Sequence, residues 1–218
     1  MSLKRLGIIA IGMLAMMVLM TLRRKKYPDV SLWKAIVLGF LLTVAGVAGT
    51  MLMFFIENGR FGGTSFFGAI LFVPILIAPA LLLKLRYKTI LDLCAPSEAL
   101  MLAIMKLDCL ANGCCVGKYL PTLHFQFPSQ IVEMCASLLV MFVLLALEKR
   151  EKDTHLYAWY LLLYGSTRFV LNWFRYGTKP WIWILPNSIV WSILSVLIGI
   201  IWLAVSARKR PQEIPAES

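Results

Sequence analysis

The sequence predicts an all-α membrane protein, a polytopic bundle of about seven transmembrane helices. Of its 218 residues, 60% are hydrophobic and 15% are charged, and the mean hydropathy is +0.80. Apolar runs close to the roughly 20 residues that a helix needs to cross a bilayer recur along the chain. This composition excludes an ordinary soluble domain and a disordered chain.

Seven apolar segments are the predicted spans. The fourth is the most polar of them, because it contains Asp92, Glu98 and Lys106, and the third contains Pro74 and Pro79, which should kink it. In chain order the spans are Leu6–Leu22, Leu32–Ile56, Phe66–Leu85, Ile90–Leu107, Ile131–Leu147, Leu156–Arg175 and Ser188–Val205.

The first span resembles a signal peptide in one respect, because Lys4 and Arg5 precede it. The basic run "RRKK" follows it directly and no small-residue cleavage motif is visible, so we interpret it as a retained helix. We expect one membrane domain over residues 1–207 and a short polar cytoplasmic tail over residues 208–218.

Positive charge predicts the orientation of the chain. The connections after the first, third and fifth spans, together with the tail, hold most of the Lys and Arg residues that lie outside the spans. Cytoplasmic loops are enriched in these residues, so we expect the N-terminus outside and the C-terminus in the cytoplasm. The net charge of +11 then reflects topology and anionic lipid headgroups, and we expect no nucleic-acid partner.

The stretch "DCLANGCCVGK", residues 108–118, follows the fourth span on the predicted outer side. One interpretation is a headgroup pocket in which Lys106 and Asn112 bind phosphate or glycerol oxygens, because a charge at the bilayer edge needs a partner. The other is a helix C-cap with Gly113 in the left-handed conformation and Lys106 reaching outward to water.

Three cysteines in this stretch allow several interpretations. A disulfide between Cys109 and Cys114 is possible on the outer side. A zinc site would need His124 as a fourth ligand and matches no standard spacing, and a nucleophilic cysteine would need His124 as its base. Small packed thiols are the commonest outcome, so we expect no metal and no cofactor.

Two further segments on the outer side are polar. In "RFGGTSFFG" Arg60 precedes two glycines, and Ser65 lies in a turn that suits either anion binding by backbone N–H groups or a plain connection. In "FPSQIVEM" Gln130 and Glu133 share a helix face. Glu133 should point inward, either to accept a proton or to form a structural ion pair with an arginine.

The sixth span carries an arginine inside the apolar segment. Arg168 cannot lose its charge, so it needs an anion, which Glu133, Asp108 or a lipid phosphate could provide. Arginine suits bidentate phosphate recognition, whereas Arg175 further on could be a simple interfacial anchor. Both arginines share one helix face with three tyrosines, so the face consists of Tyr157, Tyr160, Tyr164, Arg168 and Arg175.

Four motifs in order resemble the prolipoprotein diacylglyceryl transferase family, from about Gly46 to Val205. "GGTSFFGAIL" is similar to the family's Gly-Gly-Met-Ser-Phe-His-Gly-Gly segment. "KLDCLANGCCVGK" is similar to a variant signature that reads Arg-Ile-Gly-Cys-Phe-Leu-x-Gly-Cys-Cys-x-Gly-Lys. "FPSQIVE" resembles His-Pro-Thr-Gln-Leu-Tyr-Glu, and "YGSTRFVLNWFR" resembles Tyr-Gly-x-x-Arg-Phe-x-x-Glu-x-x-Arg.

The resemblance implies seven helices, an outward N-terminus and an active site at the outer leaflet of the bacterial cytoplasmic membrane. It implies transfer of a diacylglyceryl group from phosphatidylglycerol to the lipobox cysteine of a prolipoprotein, without a cofactor. Phe67 stands where the family has a histidine. Two alternatives therefore remain: the same lipid donor with a small-molecule or glycolipid acceptor, and a lipid-binding protein without enzymatic activity.

The resemblance and the residue patterns together give the candidate site. Its predicted catalytic residues are Arg168, Lys106, Glu133 and His124. Its predicted substrate-binding residues are Asn112, Gly113, Gly117, Gln130, Ser65, Arg60, Arg175 and Tyr164.

Overall fold

A computed structural model describes residues 3–121, 124–150, 154–175, 180–182 and 185–208. Within them the chain is all-α, as predicted, apart from two short antiparallel ribbons. The helices are α1 (Leu3–Arg23), α2 (Leu32–Asn58), α3 (Phe66–Leu76), α4 (Tyr87–Ala111), α5 (Ser129–Arg150), α6 (Leu156–Asn172) and α7 (Asn187–Arg208), with 3-10 helices at Arg24–Lys26 and Ala78–Leu83. The ribbons pair β1 (Tyr119–Leu120) with β2 (Phe125–Gln126), and β3 (Pro180–Ile182) with β4 (Leu185–Pro186).

Four of the described helices, α1, α2, α5 and α7, are long and apolar enough to cross a membrane. The chain is therefore a protein with several candidate membrane helices. The other three helices depart from that pattern, because α3 has 11 residues, α6 has 17 and α4 carries buried charges. Seven spans and the orientation of the chain stay predictions.

The third predicted span consists of two elements. Helix α3 contains Pro74 and ends at Leu76, and a 3-10 helix with Pro79 in its first turn follows it. Proline lacks the N–H group that the helix interior needs, so each of the two prolines weakens the ladder at its own position. The sequence predicted one kinked α-helix, whereas in the structure a 3-10 helix takes the place of its second half.

Helix α4 lies at the centre of the bundle, in contact with α1, α5 and α6. Its polar side chains, Asp92, Glu98, Lys106 and Asp108, are all buried. The hydroxyl of Tyr157 donates to Glu98 Oε2 at 3.0 Å. The low apolar content of the fourth predicted span is thus explained, because its polar groups face protein rather than lipid.

An ion pair ties α1 to α5 at the end of the bundle where α4 begins. Arg23 donates to the Glu148 carboxylate through Nε at 3.0 Å and through Nη2 at 2.7 Å. The same guanidinium donates to the carbonyl groups of Asp92 and Leu93 at 2.8 and 2.9 Å. A separate polar cluster lies at the opposite end of the bundle.

Candidate functional site

Three cations converge on Glu133 at the end of the bundle where α4 ends and α5 begins. Lys106 from α4 and Arg168 from α6 form ion pairs with its two carboxylate oxygens. Arg175, just beyond α6, places Nε 3.5 Å from Oε1. Of the two protein carboxylates considered for Arg168, the structure therefore pairs it with Glu133.

The cluster around Glu133 is buried and carries excess positive charge. The side chains of Lys106, Arg168 and Glu133 are each less than a tenth exposed, and that of Arg175 is 16% exposed. Three cations against one carboxylate leave a net positive charge, and the burial of these side chains limits screening by solvent. Such a group attracts an anion more strongly than the same charges would at a solvated surface.

Neighbouring side chains fix the positions of the cluster. The Ser129 hydroxyl donates to Glu133 Oε1 at 3.2 Å from the first turn of α5. The ammonium group of Lys106 lies over the ring of Phe66, 5.0 Å from its centroid. The outward-reaching alternative for Lys106 is wrong, because this side chain is 3% exposed and points into the bundle.

A cavity of about 350 Å³ lies among α1, α2, α3 and α4. Its walls are mainly apolar, and Phe66, which also contacts Lys106, is one of its lining residues. Arg5 and Thr64 line it as well, and Arg5 Nη2 donates to Thr64 Oγ1 at 2.8 Å. An apolar cavity thus lies next to the positively charged cluster.

Arg5 is a residue that sequence reasoning missed. The sequence shows a basic residue before an apolar run, which reads as a topology signal rather than as part of a site. In the structure Arg5 contacts Thr64, and its Nε lies 3.7 Å from Asp108 Oδ2. The pairing depends on how α1 packs against α4, which no local pattern reveals.

The loop after α4 begins with the predicted C-cap. Helix α4 ends at Ala111, and the Asn112 side chain donates to the Asp108 carbonyl at 2.8 Å and to its carboxylate at 2.9 Å. Gly113 follows with a φ of +61°, the left-handed conformation that the sequence predicted. Asn112 and Gly113 are both exposed, so the cap and a substrate contact are compatible.

The end of the loop is fastened to α5 and α6. Gln130 Nε2 donates to the Cys114 carbonyl at 2.8 Å, and Lys118 N donates to the Phe174 carbonyl at 2.8 Å. Gly117 pairs with Arg175 in an isolated β-bridge. A Cβ atom on Gly117 would overlap the carbonyl oxygen of Phe127, so this position requires glycine. The loop is held in one conformation beside the cluster.

The cysteines of the loop are free thiols close together. The Sγ atoms of Cys109, Cys114 and Cys115 all lie within 4.8 Å of one another. A hydrogen bond from the Cys109 thiol, aided by Arg175, lowers the pKa of Cys115 to about 5 although burial opposes this. Burial raises the pKa of the Cys114 thiol. Cys115 is thus the most acidic thiol of this group.

Other predicted residues lie away from the three cations. His124 is exposed in the turn between β1 and β2, with Nδ1 3.4 Å from the Tyr119 hydroxyl. Arg60 is exposed after α2. The Ser65 hydroxyl donates to Glu57 Oε1 at 2.9 Å. Tyr164 is buried on α6, and it lines a small cavity together with Arg168.

A sequence model of the prolipoprotein diacylglyceryl transferase family matches residues 6–205. The chain belongs to this family. The phosphatidylglycerol–prolipoprotein diacylglyceryl transferase of Clostridium tetani (strain Massachusetts / E88) is 25% identical over 230 residues, which cover 89% of each chain. The family resemblance of the four motifs is therefore confirmed.

Membership of the prolipoprotein diacylglyceryl transferase family makes the setting of Phe67 informative. Phe67 is 4% exposed, and its ring meets Tyr164 edge-on with the centroids 6.0 Å apart. Where the resemblance implies a titratable histidine, this chain has an apolar contact between α3 and α6. Phe67 therefore takes part in the packing of α3 against α6, at the position where the family has a histidine.

Proposed function

We propose that this chain is a membrane transferase that moves a diacylglyceryl group from phosphatidylglycerol to the lipobox cysteine thiol of a prolipoprotein. The observation that carries the proposal is the buried cluster of Lys106, Arg168 and Arg175 around Glu133, beside an apolar cavity. Family membership supports the same reaction class. The proposed location is the outer leaflet of the bacterial cytoplasmic membrane.

The proposed donor is an anionic phospholipid with two acyl chains. The apolar walls of the cavity suit the acyl region, and Phe66 connects these walls to Lys106. The phosphate would lie against Lys106 and Arg168, whose positive charges exceed the single negative charge of Glu133. Arg5 and Thr64, at the cavity wall, are positioned to contact glycerol or phosphate oxygens.

The proposed chemistry is a displacement at a glycerol carbon. The acceptor thiolate forms a carbon–sulfur bond while the bond between that carbon and the phosphate oxygen breaks, and the electron pair leaves with glycerol phosphate. Negative charge therefore grows on the phosphate oxygen in the transition state. Cations already in place for that charge lower the barrier, because they need no reorganisation during the reaction.

Glu133 and His124 receive different parts in this proposal. Glu133 is surrounded by three cations, so it stays ionised and orients Arg168 and Lys106 rather than accepting the thiol proton. His124 is exposed on the hairpin, where it would take the proton from a thiol that arrives from the aqueous side. Asn112, Gln130 and the loop around Gly117 complete the acceptor side of the site.

The test uses the full chain purified in detergent with phosphatidylglycerol and a lipobox peptide. We expect thioether formation on the peptide and an equal amount of glycerol phosphate, both lost in Arg168→Gln. The matched control is Lys149→Gln, because Lys149 is exposed at the far end of α5. Full activity of Arg168→Gln would contradict the proposed role of the cluster.

A second candidate keeps the donor and changes the acceptor to a small molecule or a glycolipid. Phe67 stands in the place of the family's histidine. This favours the second candidate, because without that histidine the site loses one base that could activate an acceptor thiol. Release of glycerol phosphate without peptide lipidation in the same assay would favour this candidate. Lipid binding without any release would indicate a binding protein on a transferase fold.

A further inference from the structure

Three thiols that the proposed lipid transfer does not use lie together at the end of α4. The Sγ atoms of Cys109, Cys114 and Cys115 lie within 4.8 Å of one another. Thiolates bind metal ions at about 2.3 Å, so three of them around one ion lie about 4 Å apart. The spacing of the three thiols is therefore close to that of a three-sulfur metal site.

We propose that Cys109, Cys114 and Cys115 form a binding site for one soft, thiophilic metal ion of the Cu(I) class, held by three thiolates. Soft thiolate ligands select ions of this kind over hard cations such as Mg²⁺. Binding releases the thiol protons and involves no change of oxidation state.

The number of ligands favours this class over zinc. Structural zinc sites take four protein ligands, and the common iron–sulfur clusters are held by four. Among the described residues, the cluster has three members, without a further Cys, His, Asp or Glu within the same distance. His124, the fourth ligand considered from sequence, is exposed and contacts Tyr119. A three-sulfur set suits an ion that accepts trigonal coordination.

The carboxylate nearest to the cluster in sequence has partners of its own. Asp108 accepts from the Asn112 side chain at 2.9 Å, and its Oδ2 lies 3.7 Å from Arg5 Nε. The Asp108 carboxylate therefore has contacts outside the three thiols.

The backbone brings the three thiols together where α4 ends and the following loop begins, with a route to water. Cys114 N donates to the Cys109 carbonyl at 3.0 Å, and Gln130 fastens the Cys114 carbonyl from α5. Cys109 is buried, Cys115 is half-buried and Cys114 is exposed. An ion can thus first meet Cys114 and then be enclosed by the other two thiols.

The direct test is a Cu(I) titration of the full chain in detergent, reduced and freed of metal, against the chromogenic chelator bicinchoninate without oxygen. We expect one Cu(I) per chain, and at least a tenfold loss of affinity in each of Cys109→Ser, Cys114→Ser and Cys115→Ser. The matched control is Cys135→Ser, which removes an exposed thiol outside the cluster and should leave the affinity unchanged.

A second measurement needs no variant, so it remains decisive if a substitution prevents folding. Cu(I) should protect Cys109, Cys114 and Cys115 from maleimide, as read by peptide mass spectrometry, while Cys135 is modified as before. The proposal is overturned if Cu(I) protects none of the three, or if binding survives loss of any one of them. Tighter binding of Zn²⁺ than of Cu(I) against matched competitors would overturn the assigned ion class.

Discussion

Lys106 on α4 and Glu133 on α5 form an ion pair whose side chains are 3% and 4% exposed. The pair joins two helices in the interior of the bundle, where solvent has little access to either partner. Arg168 and Arg175 reach the same carboxylate from the end of α6. One carboxylate therefore holds three helix ends together and positions the cations that the proposed reaction uses.

Replacing Glu133 with Gln should destabilise the fold. The substitution leaves Lys106, Arg168 and Arg175 close together without their common carboxylate, and breaking a buried pair costs about 3–5 kcal/mol. We expect a lower thermal unfolding midpoint in detergent. The double variant with Lys106→Met should recover part of the loss, because it removes one of the repelling cations. An unchanged midpoint in the single variant would show that the cluster contributes nothing to stability.

Replacing Arg168 with Lys should reduce turnover more than donor affinity. Lysine keeps the charge but lacks the planar fork that can bind two phosphate oxygens at once. Loss of transition-state stabilisation of this kind lowers kcat by roughly 10²–10³-fold. Steady-state kinetics with phosphatidylglycerol as the varied substrate provide the measurement. A raised KM with an unchanged kcat would place Arg168 in ground-state binding instead.

Two glycines of the loop after α4 should respond differently to alanine. Gly117→Ala places a Cβ atom on the Phe127 carbonyl, so the loop must move, and we expect donor turnover to fall by about tenfold or more. Gly113→Ala has open space around it, and its cost is the left-handed backbone, about 1 kcal/mol of stability. Equal turnover in the two variants would contradict the close packing at Gly117.

Cys115 should react with iodoacetamide at a pH where ordinary thiols do not. Its pKa is lowered to about 5 by the Cys109 thiol and by Arg175, so its thiolate fraction stays high from neutral pH down to about pH 6. Cys114, whose pKa is raised, should become unreactive over the same range. Peptide mass spectrometry after treatment with a chelator and a reductant measures both rates. The Arg175→Gln variant should shift the Cys115 profile to higher pH.

Sequence patterns predicted the all-α class and an anionic partner for Arg168, and they gave a helix C-cap with left-handed Gly113 as one of two interpretations of the loop. These features depend on local spacing or on the cost of a lone charge in an apolar segment, both of which are visible in a single sequence. The separation of α3 from its 3-10 helix was predicted only as a kink. Local pattern shows where a helix weakens but not which conformation the neighbours then support.

The contacts that sequence reasoning missed all join distant parts of the chain. Arg5 pairs with Thr64 across 59 residues, and Glu57 accepts from Trp191 across 134 residues. Such contacts are decided by which helix faces meet, and periodicity within a helix does not specify its neighbour. The three thiols were recognised as a group, but their mutual distance depends on how the loop turns after α4.

The buried charges of α4 have a consequence for how the protein is made. Each charge at the centre of a membrane helix costs about 2.5–3.5 kcal/mol during insertion, so a segment that contains Asp92, Glu98 and Lys106 is a poor candidate for entering the bilayer by itself. The partners of α4 lie on both sides of it in the sequence: α1 is synthesised before α4, and Glu133 belongs to α5, which is synthesised after it. We therefore expect α4 to settle in the membrane only once α5 has been synthesised, because the pair between Lys106 and Glu133 is completed at that step.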